Sequence, residues 1–204
     1  MKKLVPLMIG FSPLIAFSLL TKILPSGDVG VAGLVAAVAA LIAIALSHPV
    51  WPPKIINTCS LVLFALIAVL GFTLGSHDDR WLANWGGAGM PLIIGLIILI
   101  LVPVIPFTEQ FARETTPQAY WSSPTFKKIN RTLSVGWGVA IFAVGASRVA
   151  AAAINGHTTR RLPELLLGLV VPSVILLYML KFSKSYPERV THEPAHASAA
   201  HHAG

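Results

Sequence analysis

The chain has 204 residues, 55% hydrophobic and only 11% charged, with a mean hydropathy of +0.75. Soluble domains carry roughly 25% charged residues, so this composition excludes a water-covered globular domain and implies an integral membrane protein one helical bundle in size. The net charge of +7 comes from basic residues set between apolar stretches. Membrane topology and anionic headgroups account for it, and with no binding motif or basic face, nucleic acid is excluded as a partner.

In chain order, Met1-Lys2-Lys3 opens onto Leu4–Leu24. That run exceeds the usual apolar core of a signal peptide and no small-residue cleavage site follows it, so it is expected to be a retained span. A membrane helix needs about 20 largely apolar residues, and six segments qualify: 4–24, 29–47, 57–75, 90–107, 132–154 and 163–182. The breaks between them carry turn and interface residues, as in Pro25-Ser26-Gly27-Asp28 and Trp51-Pro52-Pro53-Lys54. The expected fold is all-α, a polytopic bundle of about six transmembrane helices spanning 1–182, followed by a flexible, His-containing tail over 183–204.

Lys and Arg set the orientation. With the N-terminus inside, the inner side holds ten of them (Lys2, Lys3, Lys54, Arg113, Lys127, Lys128, Arg131, Lys181, Lys184, Arg189). The outer side holds four: Lys22, Arg80, Arg160 and Arg161. The bias predicts an inner-membrane protein with both termini cytoplasmic.

The polar break Thr108–Arg131 carries Phe111, Tyr120, Trp121 and Phe126 as apolar anchors, and Pro117 and Pro124 divide it. One or two short helices lying along the inner interface are expected here, between spans four and five. A weak internal repeat aligns Lys54, Ile56, Asn57 and Phe64 with Lys127, Ile129, Asn130 and Trp137.

Few residues are candidates for chemistry. Arg148 is the charge deepest in a span, where a charge is costly and marks a functional candidate. Glu164, at the start of span six, stands at similar depth and is its expected partner. Asp78, Asp79 and Arg80 form the acidic cluster of an outer loop, more readily a solvated, Arg-paired group than a cation site. His192, His196, His201 and His202 lie in the tail, without fixed geometry for a metal. No nucleophile elbow, zinc signature, P-loop or dinucleotide fingerprint occurs, so neither catalysis nor a cofactor is expected.

Two stretches resemble the intracellular septation protein A family and its wider superfamily of small bacterial inner-membrane proteins. The first is Gly71-Phe72-Thr73-Leu74, then Asp78-Asp79-Arg80-Trp81 and Pro91. The second is Tyr120-Trp121, Phe126-Lys127-Lys128-Ile129-Asn130, Trp137, Phe142 and Gly145. The resemblance covers roughly residues 50–150 and makes Trp121, Asn130 and Trp137 candidate functional positions. It implies a non-enzymatic scaffold or accessory protein of envelope maintenance or division, working through membrane-protein partners or as a homo-oligomer. The chain departs from the pattern in its longer inner loop, in Arg148, and in a sixth span with a His-rich tail. The alternative is a small transporter or carrier with a polar site near Arg148; a lipid-acting membrane enzyme stands third.

Overall fold

The computed structural model describes residues 5–24, 28–46, 54–73, 81–155 and 161–201. Among them the chain is all-α, without a strand. The helices are α1 (Val5–Ile23), α2 (Val29–Leu46), α3 (Ile55–Thr73), α4 (Gly87–Leu101), a short α5 (Phe107–Ala112), α6 (Pro124–Asn155), a short α7 (Arg161–Leu165) and α8 (Val171–His201). π turns over Leu82–Gly86 and Leu166–Val170 lead directly into α4 and α8, and a 3-10 turn covers Gln118–Tyr120. Four helical stretches, Val29–Leu46, Ile55–Thr73, Pro124–Ile154 and Leu166–Thr191, are long and apolar enough to cross a membrane; Ile9–Thr21 and Gly87–Leu101 are shorter apolar helices.

Helix boundaries differ from the sequence expectation in both directions: the helix expected over 90–107 stops at Leu101, and in three other places the helix runs on. Trp81 is already helical, although the expected break reached Gly89. Glycine weakens a helix in water, but where water is scarce an unpaired backbone group costs more than the glycine does. The helix expected from 132 starts at Pro124, whose missing N–H is no loss at a first helical position. Ser123 caps it, its Oγ accepting from Phe126 N at 3.2 Å. Finally, the tail expected from 183 has no boundary there, since α8 continues to His201. The side chains of the tail histidines lie outside the described residues.

Two antiparallel hairpins form the centre, and both close through small residues. In the α2–α3 pair, Gly30 faces Gly71 and Gly33 faces Ala68. In the α4–α6 pair, Leu92 faces Gly145 and Gly95 faces Phe142. A Cβ on Gly71 or Gly145 would overlap the backbone of the opposing helix. Without a hydrophobic drive between helices in lipid, such close approach supplies the dispersion contacts that hold them. The aligned residues of the sequence repeat fall on α3 and α6, the second helix of each hairpin, with Lys54 just before the start of α3. Asn57, Asn130, Phe64 and Trp137 are all buried, whereas Lys54 is buried and Lys127 is exposed.

α1 packs on the first hairpin and α8 on the second. Pro13 sits inside α1 and cannot donate to the carbonyl of Ile9. The Ser12 hydroxyl takes that carbonyl instead, at 2.7 Å. One core cluster joins Phe17, Ala32, Ala36, Phe64 and Met90; the other joins Ile56, Ile94, Ile98, Phe107, Trp137 and Met179. Outward faces remain apolar, with Leu34, Val38, Leu41, Val69, Leu169 and Leu177 exposed. Only 11% of the apolar window of the last helix is buried, against 39–44% for the other three long apolar helices, so α8 is the most loosely packed of these four. The indole Nε1 of Trp137 donates to Ser183 Oγ at 2.8 Å and ties α8 to α6. Trp137→Phe is expected to cost about 1 kcal/mol in denaturant unfolding, one net hydrogen bond, with Ser183→Ala equivalent.

Residues 107–123 fold back under one end of the bundle as α5 and the 3-10 turn, where one or two short helices are expected over Thr108–Arg131; the rest of that stretch, from Pro124, belongs to α6. Phe107 and Gln110 are buried. Gln110 Oε1 accepts from Ile55 N at 2.9 Å, at the start of α3. Thr108 Oγ1 donates to the carbonyl of Asn130 at 2.7 Å. Lys54 Nζ meets Glu114 Oε1 at 2.7 Å and also lies over the Phe111 ring. Pro106 and Pro117 set the extended residues before α5 and the 3-10 turn.

Candidate functional site

Two groups of polar side chains sit within the apolar bundle, at opposite ends. The first surrounds Lys54. Its ammonium is taken from water and compensated by Glu114 and by the Phe111 ring face. One and two turns further along α3 lie Asn57 and Ser60, fully buried, whose side-chain polar atoms have no hydrogen-bond partner among the described residues. Gly10 of α1 lets Phe111 and Asn57 approach, since a Cβ there would stand 3.0 Å from the Phe111 ring. This group joins α1, α3 and α5 and packs as structure.

The second group opens into space. A cavity of about 400 Å³ lies between α1 and α8, floored by α4 and α6. α1 contributes Phe11, Leu14, Phe17 and Ser18; α4 contributes Gly87, Met90 and Pro91. α6 contributes Trp137, Ile141, Val144 and Arg148, one residue per turn or so along a single face. Leu176 and Leu180 of α8 complete the wall. Arg148 Nη1 donates to Ser18 Oγ at 3.3 Å across the cavity's end. No carboxylate stands within ion-pair distance of Arg148 among the described residues. Next to it, Ser147 Oγ donates to the carbonyl of Leu167 at 2.6 Å. That bond satisfies a carbonyl in the π turn, where the helical ladder is interrupted.

The sequence candidates separate accordingly. Arg148 and Trp137 come together as lining of one cavity, about three helical turns apart on α6. Asn130 is buried and structural: its Nδ2 donates to the carbonyl of Phe126 at 2.9 Å. Trp121 lies at the other end, its Nε1 donating to the carbonyl of Thr116 and its ring under the Arg113 guanidinium. Asp78, Asp79 and Arg80, and the side chain of Glu164, lie outside the described residues, so the expected Arg148–Glu164 pair does too. Ser18 was not singled out by its sequence; a lone serine in an apolar helix gives no signal until a partner is known. Lys54, Asn57 and Ser60 did carry one, a polar residue on one face of α3 at every third position. Among the described residues no group of His, Cys, Asp or Glu could hold a metal ion.

No protein-family model, no curated protein and no solved structure matches this chain.

Proposed function

We propose that this is a six-span inner-membrane protein with both termini cytoplasmic, and that it works as a carrier or binding protein for a ligand drawn from the bilayer. The cavity that ends at Arg148 is the observation carrying this reading. A scaffold needs no cleft of about 400 Å³ between its helices, because dispersion contacts along that lining are made only when a further molecule fills it. The size falls within the range of roughly 300–1,000 Å³ usual for small-molecule sites. The lining is almost wholly apolar, so the ligand comes from hydrocarbon rather than water.

Six spans are supported by helix length as well as by composition. The 19 residues of α1 rise about 28 Å, close to the hydrocarbon thickness. The π turn before α4 lengthens that helix to a similar reach. Lys54, Gln110 and Glu114 meet at one end of the bundle, as they should if 54 and 107–114 lie on the same side of the membrane. Reporter fusions after residue 204 and within 76–88 test the topology. A cytoplasmic 76–88 loop or an external C-terminus would overturn it.

The cavity is tested by quenching of Trp137, isolated by subtracting the Trp137→Phe spectrum. A brominated single-chain lipid is expected to quench it, and Val144→Phe, which fills the middle of the cavity, to abolish the effect. Equal quenching in Val144→Phe would return the protein to the other reading, a scaffold of envelope maintenance or division. The near-continuous Ala, Leu, Ile and Val of α2 favours that role for the first hairpin.

A further inference from the structure

The cavity has one polar end and one dry end. Of its lining residues, only Ser18 and Arg148 offer polar side-chain groups to its interior, because the Trp137 N–H is already donated to Ser183. Arginine carries five N–H donors and no acceptor, and here a single contact, at 3.3 Å to Ser18, is made among the described residues. A guanidinium held in an apolar setting is costly unless an anion compensates it, and among the described residues no carboxylate does. Charge complementarity therefore asks for an anion at this end.

Shape specifies what the anion is attached to. From Trp137 to Arg148 the lining follows α6 for eleven residues, a length of about 16 Å. A volume of about 400 Å³ open along that length suits one hydrocarbon chain. The side wall also has an entrance. Ile15 and Leu19 of α1 line the cavity yet are 52% and 55% exposed, and Leu176 of α8 is 38% exposed. The cavity thus opens between α1 and the loosely packed α8, towards the space that lipid would occupy.

We propose that the cavity holds a single-chain amphiphile with an anionic headgroup, carboxylate or phosphate, whose anion is bound by Arg148 and Ser18 while its chain lies along α6 towards Trp137. This rests on the cavity being a ligand site and names the class of ligand it takes. Entry is lateral, between α1 and α8, so the chain never crosses water. Arg148 acts as a planar fork able to hold two oxygens at once, which an ammonium cannot reproduce.

The test compares a fatty acid, the alkyl phosphate of the same chain length, the fatty acid methyl ester and inorganic phosphate, each competing with a brominated fatty acid for quenching of Trp137 in the full-length protein in neutral detergent. Acid and alkyl phosphate are expected to bind at least about tenfold more tightly than the ester, the worth of one charge-assisted contact. Arg148→Leu should bring the acid down to the level of the ester, Arg148→Lys should restore only part of the preference, and Val144→Phe should remove binding of every chain. Glu164→Gln should leave the preference unchanged; its loss would mean that Glu164 sets the charge of this end, and would overturn the proposal. Equal binding of acid and ester would overturn the anion site while leaving the cavity reading intact. Competition by inorganic phosphate as strong as by alkyl phosphate would overturn the lipid and point to a soluble anion. Binding of no chain by a folded protein would remove both readings.

Discussion

Gly145→Leu is expected to prevent the protein from folding, and Gly145→Ala to destabilise it by about 1–3 kcal/mol. Gly145 of α6 packs directly against the backbone of Leu92 on α4, with Gly95 against Phe142 one turn away. Any Cβ at Gly145 forces the two helices apart over several turns, because their interface is held by contacts that fall off steeply with separation. Thermal unfolding in detergent, together with the yield of monodisperse protein, measures the effect. Gly89→Ala is the matched control: a Cβ there meets nothing within 4 Å, so it should be neutral or stabilise by up to about 1 kcal/mol through helix propensity. Equal behaviour of Gly145→Ala and Gly89→Ala would refute the close crossing.

Glu114→Ala is expected to cost about 3 kcal/mol. It leaves the Lys54 ammonium, whose side chain is 4% exposed, with the Phe111 ring as its remaining compensation, and breaking a buried pair costs about 3–5 kcal/mol. The lower end applies because Glu114 itself is 19% exposed. Replacing both partners by apolar residues, Lys54→Met with Glu114→Leu, should recover most of the loss, since the attraction and the two desolvation costs then vanish together. A double-mutant cycle by urea unfolding reads the coupling directly. Single substitutions that each cost under about 1 kcal/mol would mean that the pair behaves as an exposed one.

Much of the bundle is legible in the chain itself. Runs of Ala, Leu, Ile and Val long enough to cross hydrocarbon can only be helices there, because no water is available to the backbone. Among the described residues all six apolar segments are helical over most of their length, the fourth only as far as Leu101, and Pro117 and Pro124 mark the starts of the 3-10 turn and of α6. Helix ends were less legible: Gly86, Gly87 and Gly89 look like a loop by propensity, yet the helix passes through all three, Gly86 in the π turn and Gly87 and Gly89 in α4. The site was half visible. Arg148 stands out as a charge in a span, but Ser18, 130 residues away in sequence, has no signal of its own.

Composition and periodicity determined the all-α class, the positions of the apolar helices and the presence of short helical structure between α4 and α6, since each depends on residues close together in the chain. Tertiary structure alone decided which helices pair, that Lys54 would find Glu114, and that α1 and α8 would leave a cavity at Arg148. Those outcomes depend on where small residues let backbones meet and where larger ones hold them apart. That is a property of facing surfaces, and a hydrophobic pattern nearly uniform around each helix does not reveal which surface faces which.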